Sequence, residues 1–184
     1  ETSLEDPNFS WKIFEIDTHL GAAIVGLSSD ARVLIDNARI YAQSNRLMYD
    51  EPIDVEVITK RIGDIKQLYT QHAGVRPFGV SIIFGGVDKT GNRLFATHAS
   101  GAYRGYKATA LGAGRETVIK ILKEEYREDM SLEEAIKLTI KCLTKALEVR
   151  GLSPRMKVAV IPSTTKRLRM LSDEEIEEHI KTVK

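Results

Sequence analysis

The order in which strand-like and helix-like segments follow one another constrains this 184-residue chain more than any single motif. Extended, apolar stretches fall in two groups, within residues 12–27 and 78–106, and between and after them apolar residues recur at helical spacing. The predicted order is two strands, two helices, a group of strands, two helices, then one or two short strands and a terminal helix. Runs of strands followed by runs of helices predict an α+β fold with antiparallel sheet, because a parallel sheet needs strands and helices in alternation. Two helix pairs, each covering one sheet face, make a layered sandwich the economical arrangement. No internal repeat, low-complexity tract or long Pro/Gly/Ser linker divides the sequence, so a single domain over residues 1–184 is expected.

Lys12 to Asp17 and Gly21 to Leu27 predict a hairpin turning at Asp17–Leu20. Ser28 or Ser29 is the predicted cap of a helix with apolar positions Val33, Leu34, Ala38, Tyr41 and Ala42, ending near Arg46. Asp54 opens the next helix, through Val55, Ile58, Ile62, Ile65, Leu68 and Tyr69, which stops before Gly74 and Pro77. Phe78 to Asp88 and Arg93 to Thr97 form a second predicted hairpin around Lys89–Asn92. Arg115 to Arg127 has helical periodicity. Ser131 with Glu134, and Ser172 with Glu175, are capping boxes, in which a hydroxyl and a carboxylate three residues apart each bond the other's backbone N–H. The first opens a helix to Val149 and the second the terminal helix, with strands predicted at Met156–Ile161 and Leu168–Leu171 between them.

The 27 basic and 26 acidic residues are interleaved, so no positive field marks a nucleic-acid surface. Lys166, Arg167 and Arg169 read as a solvated edge. No segment approaches the roughly 18 uninterrupted apolar residues of a membrane span. The single cysteine, Cys142, lies in the periodic run Ile136, Ile140, Leu143, Leu147 and reads as a buried helix residue with no internal disulfide partner. With a polar Glu1–Ser10 segment, these features predict a cytoplasmic setting.

Chemistry-bearing motifs are sparse. Gly112-Ala113-Gly114 reads as a tight strand-to-helix turn, since it lacks the third glycine of a dinucleotide site and the lysine of a P-loop. Gly85-Gly86 reads as a bulge or a close backbone approach. His19, His72, His98 and His179 are scattered without metal-ligand spacing, so neither a metal nor a cofactor is expected. His19 and His98 have no sequence-identifiable nucleophile and read as polar surface rather than general bases. Lys12 opens a strand whose following residues alternate, which places its ammonium at the mouth of a cleft or simply on a strand surface.

Several blocks, in register over nearly the whole chain, resemble one family. Lys12-Ile13-Phe14-Glu15-Ile16-Asp17 and Gly26-Leu27-Ser28-Ser29-Asp30-Ala31-Arg32-Val33-Leu34 are similar to the strand and first long helix of proteasome α-type subunits, the archaeal ones in particular. Arg76-Pro77-Phe78-Gly79-Val80-Ser81, Tyr106-Lys107-Ala108-Thr109-Ala110 with Gly112 and Gly114, and Glu124-Glu125-Tyr126 with Ser131–Ala135 agree with later blocks of the same family. The resemblance implies a four-layer αββα sandwich of the N-terminal nucleophile hydrolase type, with α subunits forming a seven-membered outer ring on β subunits. Family members carry roughly one further helix and two strands ahead of the segment that starts here, so the implied sandwich lacks the family's first helix and first strands and has unpaired edges.

Catalytic relatives use an N-terminal threonine, whose own amine activates its hydroxyl. This chain begins at Glu1, so a β-type threonine peptidase would need trimming to expose Thr2. The serine that supports the active site in catalytic relatives falls at Ala113, and Gly151 to Arg155 supplies no aspartate. The resemblance therefore implies a non-catalytic subunit that controls substrate access in ATP-dependent degradation. It further implies that Lys12 receives the C-terminal carboxylate of a regulatory ATPase or other activator between neighbouring subunits, with Gly26 and Leu27 as the pocket wall.

Overall fold

A computed structural model describes residues 12–149, 151 and 156–183. Its elements are β1 (Ile13–Asp17), β2 (Leu20–Gly26), α1 (Ser28–Tyr49), α2 (Val55–Gln71), β3 (Val80–Asp88), β4 (Gly91–Thr97), β5 (Tyr103–Gly105), α3 (Arg115–Glu125), α4 (Leu132–Val149), β6 (Ala159–Val160), β7 (Arg169–Met170) and α5 (Asp173–Val183). The first five strands form one antiparallel sheet in chain order, β1-β2-β3-β4-β5, and β6 pairs with β7. Every strand connection in the larger sheet is a hairpin except β2 to β3, where α1 and α2 intervene and the strands still pair as neighbours.

Strand alternation decides what that sheet covers. Leu20, Ala22 and Ile24 of β2 and Val80, Ile82 and Phe84 of β3 share one face and join a single buried cluster with Leu34, Ile35, Ala38 and Ala42 of α1 and Ile58 and Ile62 of α2. This helix-on-sheet layer is the main core. On the opposite face, Gly21 of β2 receives Leu168, whose Cδ1 would lie 2.5 Å from a Cβ at that position, and the Leu168 N–H donates to the Thr18 carbonyl at 2.7 Å. The residue that leads into β7 thus touches the second face. Beyond it, Val158, Val160 and Leu171 pack against Ile136 and Ile140 of α4 and Ile176 of α5, and a third cluster joins Val118 of α3 to Leu138, Cys142 and Ala146 of α4.

Both predicted capping boxes form. The Glu134 N–H donates to Ser131 Oγ at 3.2 Å and the Ser131 N–H to Glu134 Oε2 at 2.8 Å. Ser172 and Glu175 repeat the exchange at 3.2 and 2.7 Å. At α1 the expectation fails. The cap position is Leu27, with no side-chain cap bond, and Ser28 is already helical. The chain enters this helix under backbone control instead, the Leu27 N–H donating to the Gly79 carbonyl at 2.9 Å while its own carbonyl accepts from Ala31.

Helix α1 also runs past Arg46 to Tyr49, where left-handed Asp50 donates its N–H back to the Arg46 carbonyl and Pro52 follows. Its inward face is Ala31, Leu34, Ile35, Ala38 and Ala42; Val33, assigned inward by pattern, is exposed. Asp54 does cap α2 by position, but the Val55 N–H is satisfied by Asp88, the last residue of β3, at 3.0 Å. Three strands are shorter than their predicted runs, β3 starting at Val80 rather than Phe78 and β6 and β7 keeping only the two residues that find partners, while β4 starts two residues earlier than predicted, at Gly91.

Candidate functional site

At one end of the larger sheet β2 finishes on Gly26, and its position is set by how closely β3 lies beneath it. Gly26 has φ +123°, and a Cβ there would fall 2.2 Å from the Gly79 carbonyl oxygen and 2.9 Å from Val80 Cα. Any side chain would have to displace backbone, so glycine is dictated twice over, by conformation and by space. Leu27 follows, its methyl groups lying over Gly79, where a Cβ would sit 2.8 Å from Leu27 Cδ1. Leu27 remains 50% exposed and its neighbour Val25 39% exposed, so the sheet end presents apolar surface to solvent.

Lys12 lies at the same end. Its carbonyl accepts from the Ile24 N–H at 2.9 Å, immediately before the Ile13↔Ala23 pairing, which sets it across β2 two residues before Gly26. Its side chain is exposed, and among the described residues it enters no ion pair. The three residues to which the resemblance pointed thus meet at one sheet end: a cation just ahead of β1, a position without a side chain, and an apolar residue at the N-cap of α1.

The supports beneath these residues were not singled out in the sequence. Asp30, in the first turn of α1, accepts from both terminal nitrogens of Arg76 at 2.6 and 2.8 Å and from the Gly79 N–H at 2.7 Å. The Arg76 guanidinium, followed by the Gly79 N–H, holds the Asp30 carboxyl down at about 2 despite its burial. The same carboxylate complements the N-terminal end of α1. The signal lay in an acidic residue in the first helical turn and an arginine just ahead of the glycine it serves, two positions 46 residues apart that only the fold pairs.

Other chemical candidates resolve differently. His19 is not polar surface: it is buried in the β1–β2 turn, its Nε2 2.8 Å from the Ile53 carbonyl and its Nδ1 without a hydrogen-bond partner, 3.6 Å from Asp17. Asp17 itself is held by a two-point contact with Arg46 at 2.7 and 3.1 Å. Gly85-Gly86 is a close approach, with a Cβ at Gly86 falling 2.8 Å from the His19 carbonyl; the bulge lies in β1, between Glu15 and Asp17. Gly112–Gly114 forms the turn into α3, closed by the Arg115 N–H on the Gly112 carbonyl at 3.1 Å, and Ala113 within it carries no hydroxyl. Cys142 is buried, and burial, then the Glu125 charge, push its thiol up to about 11, which keeps it protonated and inert. Among the described residues no His, Cys, Asp and Glu group together as a metal would require, and no helix is long and apolar enough to cross a membrane. Glu1, Thr2 and residues 152–155 lie outside the described residues.

A profile described as "Proteasome subunit" matches residues 3–161. The chain belongs to the proteasome subunit family. Proteins named "Proteasome subunit alpha" show which branch: that of Methanothermobacter thermautotrophicus is 47% identical over 179 residues, 97% of this chain and 72% of the relative. That of Methanosarcina acetivorans is 49% identical over 172 residues, covering 94% and 70%, and that of Methanocaldococcus jannaschii 50% identical over 173 residues, covering 94% and 66%. The family's α+β fold of the N-terminal nucleophile hydrolase type accounts for the antiparallel sheets and their helical layers, and within the family the chain is of the α type.

Proposed function

We propose that this chain works as a non-catalytic α subunit of a proteasome core particle in the cytoplasm, joining other α subunits in a seven-membered ring stacked on β subunits. In this reading it controls substrate access and receives the C-terminal carboxylate of a regulatory ATPase or another activator at Lys12, Gly26 and Leu27. The observation that carries the docking role is the meeting at one sheet end of an exposed ammonium without a partner among the described residues, a glycine where any side chain would collide, and a half-exposed leucine. A chain-end carboxylate is a compact anion and suits the ammonium, while an apolar residue next to it suits Leu27.

Assembly is supported by α1. Val33, Ile40 and Leu47 recur every seven residues along its outer side and are all exposed, with Met48 and Tyr49 beyond them. Exposed apolar residues recurring along one helix side, with polar Asp36, Asn37, Gln43 and Ser44 between them, suit contact with another subunit. Replacing Lys12 with alanine in the full-length protein is expected to weaken activator binding by about tenfold or more, the scale of a lost charge-assisted contact, while rings still form. Unchanged affinity would reject the docking role. The β-type peptidase reading has its own check: intact-mass analysis of rings of this chain alone after exposure to a threonine-directed covalent inhibitor, where an adduct on Thr2 would establish it and an unmodified mass is expected.

A further inference from the structure

Lys66 is the largest completely buried side chain of the described residues, lying on the inward face of α2 below Ile58 and Ile62. Its ammonium has no carboxylate in ion-pair range among the described residues. It donates instead to two backbone carbonyls, Val80 at 2.9 Å and Thr97 at 3.4 Å. The β3–β4 ladder begins at Ile82↔Thr97, so Val80 lies beyond it and has no partner on β4. The Lys66 nitrogen bridges the two strand ends where the ladder has stopped. Burial drives the ammonium down to about 7. A methionine would fill similar space without that desolvation, so what distinguishes the lysine here is the pair of carbonyls it bonds.

What it bonds lies under the site. Val80 pairs with Gly26 in the β2–β3 ladder, and its Cα is one of the atoms that a Gly26 side chain would strike. Gly79, one residue earlier, is gripped at its N–H by Asp30 and at its carbonyl by Leu27. The two-residue segment Gly79–Val80 is therefore held from α1 by a carboxylate and from α2 by an amine. We propose that Lys66 is a positioning residue for the carboxylate-docking site, fixing the Gly79–Val80 backbone at the height where Gly26 and Leu27 form its floor and wall. This rests on the docking role proposed above for Lys12.

The test uses assembled rings of the full-length protein and a short fluorescent apolar peptide with a free terminal carboxylate. Lys66→Met removes both hydrogen bonds and is expected to weaken peptide binding by about fivefold to tenfold, roughly the worth of one hydrogen bond to a site that must stay ordered. Lys66→Gln, one bond shorter but still a donor, is expected to fall between Met and wild type, and it carries the test if the methionine variant does not assemble. Thr59→Ala is the control for stability alone: Thr59 is buried on the same helix and bonds only the Val55 carbonyl, so this variant lowers the melting temperature and leaves peptide affinity unchanged. If Lys12→Ala weakens the peptide and both Lys66 variants bind it as wild type does, the positioning role is overturned and docking stands. If Lys12→Ala binds as wild type does, docking itself falls, and this inference with it.

Discussion

Asp30 and Lys66 are both buried charged residues, and each leaves a distinct mark on the pH dependence of stability. The Asp30 carboxyl titrates at about 2 in the fold against 3.8 in the open chain. A carboxylate with a depressed pKa contributes fully above the open-chain value and loses that contribution as pH falls toward the folded one. Asp30→Ala leaves the Gly79 N–H without its acceptor and is expected to cost about 1–3 kcal/mol at neutral pH. Denaturant titrations of wild type and variant should converge as pH is lowered from 4 toward 2; a gap that persists at pH 2 would mean that the ion pair is not its source.

Lys66 has the opposite slope. Its folded pKa, about 7 against 10.5, means that between these values the unfolded chain holds a proton that the folded chain does not. Stability therefore rises with pH through that window, by up to about 1.4 kcal/mol per unit. Lys66→Met lacks the rise, so wild type should gain on the variant between pH 7 and 10, and parallel curves would show that the amine is not desolvated. Lys66 was legible only as an anomaly: it falls four residues after Ile62, on the apolar stripe of α2. Sequence reasoning gave the stripe to Ile65 and Leu68 instead, and Leu68 is exposed. A lysine on an apolar stripe is ambiguous, because its stem packs like an aliphatic side chain whether or not the nitrogen is buried.

At the scale of elements, legibility followed how local the determining contacts are. The capping boxes at Ser131 and Ser172 are complete within four residues, so both were read correctly, and Ser131→Ala is expected to destabilise by about 1 kcal/mol in thermal melts. Calorimetry showing no change would mean that α4 is held by packing alone. The start of α1 depends on Gly79, some 50 residues away, and two serines at its head suggested a cap that the structure does not use. Its end was misplaced for a related reason. Leu47, Met48 and Tyr49 face outward and carry no inward periodicity, so the pattern stopped one turn before the helix did. Strands β6 and β7 show the limit from the other side: an apolar run marks where a strand can form, but pairing sets its length, and pairing is not local.

For the whole molecule, the order of strands and helices was enough to give antiparallel sheet with helical layers, and the family blocks pointed to the residues of the proposed docking site. Neither gave the backbone support under that site, which joins α1, α2, β3 and the segment before it through contacts between distant positions. The apolar row on α1 also became visible only once the opposite side was seen to be filled. Ile40→Glu and Leu47→Glu are expected to leave the fold intact by circular dichroism and to shift native mass from ring to smaller species, since a buried charge at an interface is costly. A double variant that still forms rings would exclude this face from assembly.

The proposed docking role turns on the Lys12 ammonium recognising a chain end. The direct measurement is the affinity of assembled wild-type rings for two versions of one apolar peptide, one ending in a free carboxylate and one in an amide. The free acid should bind about tenfold more tightly, and raising the salt concentration should narrow the difference. Equal binding of the two peptides would contradict a docking site built around Lys12.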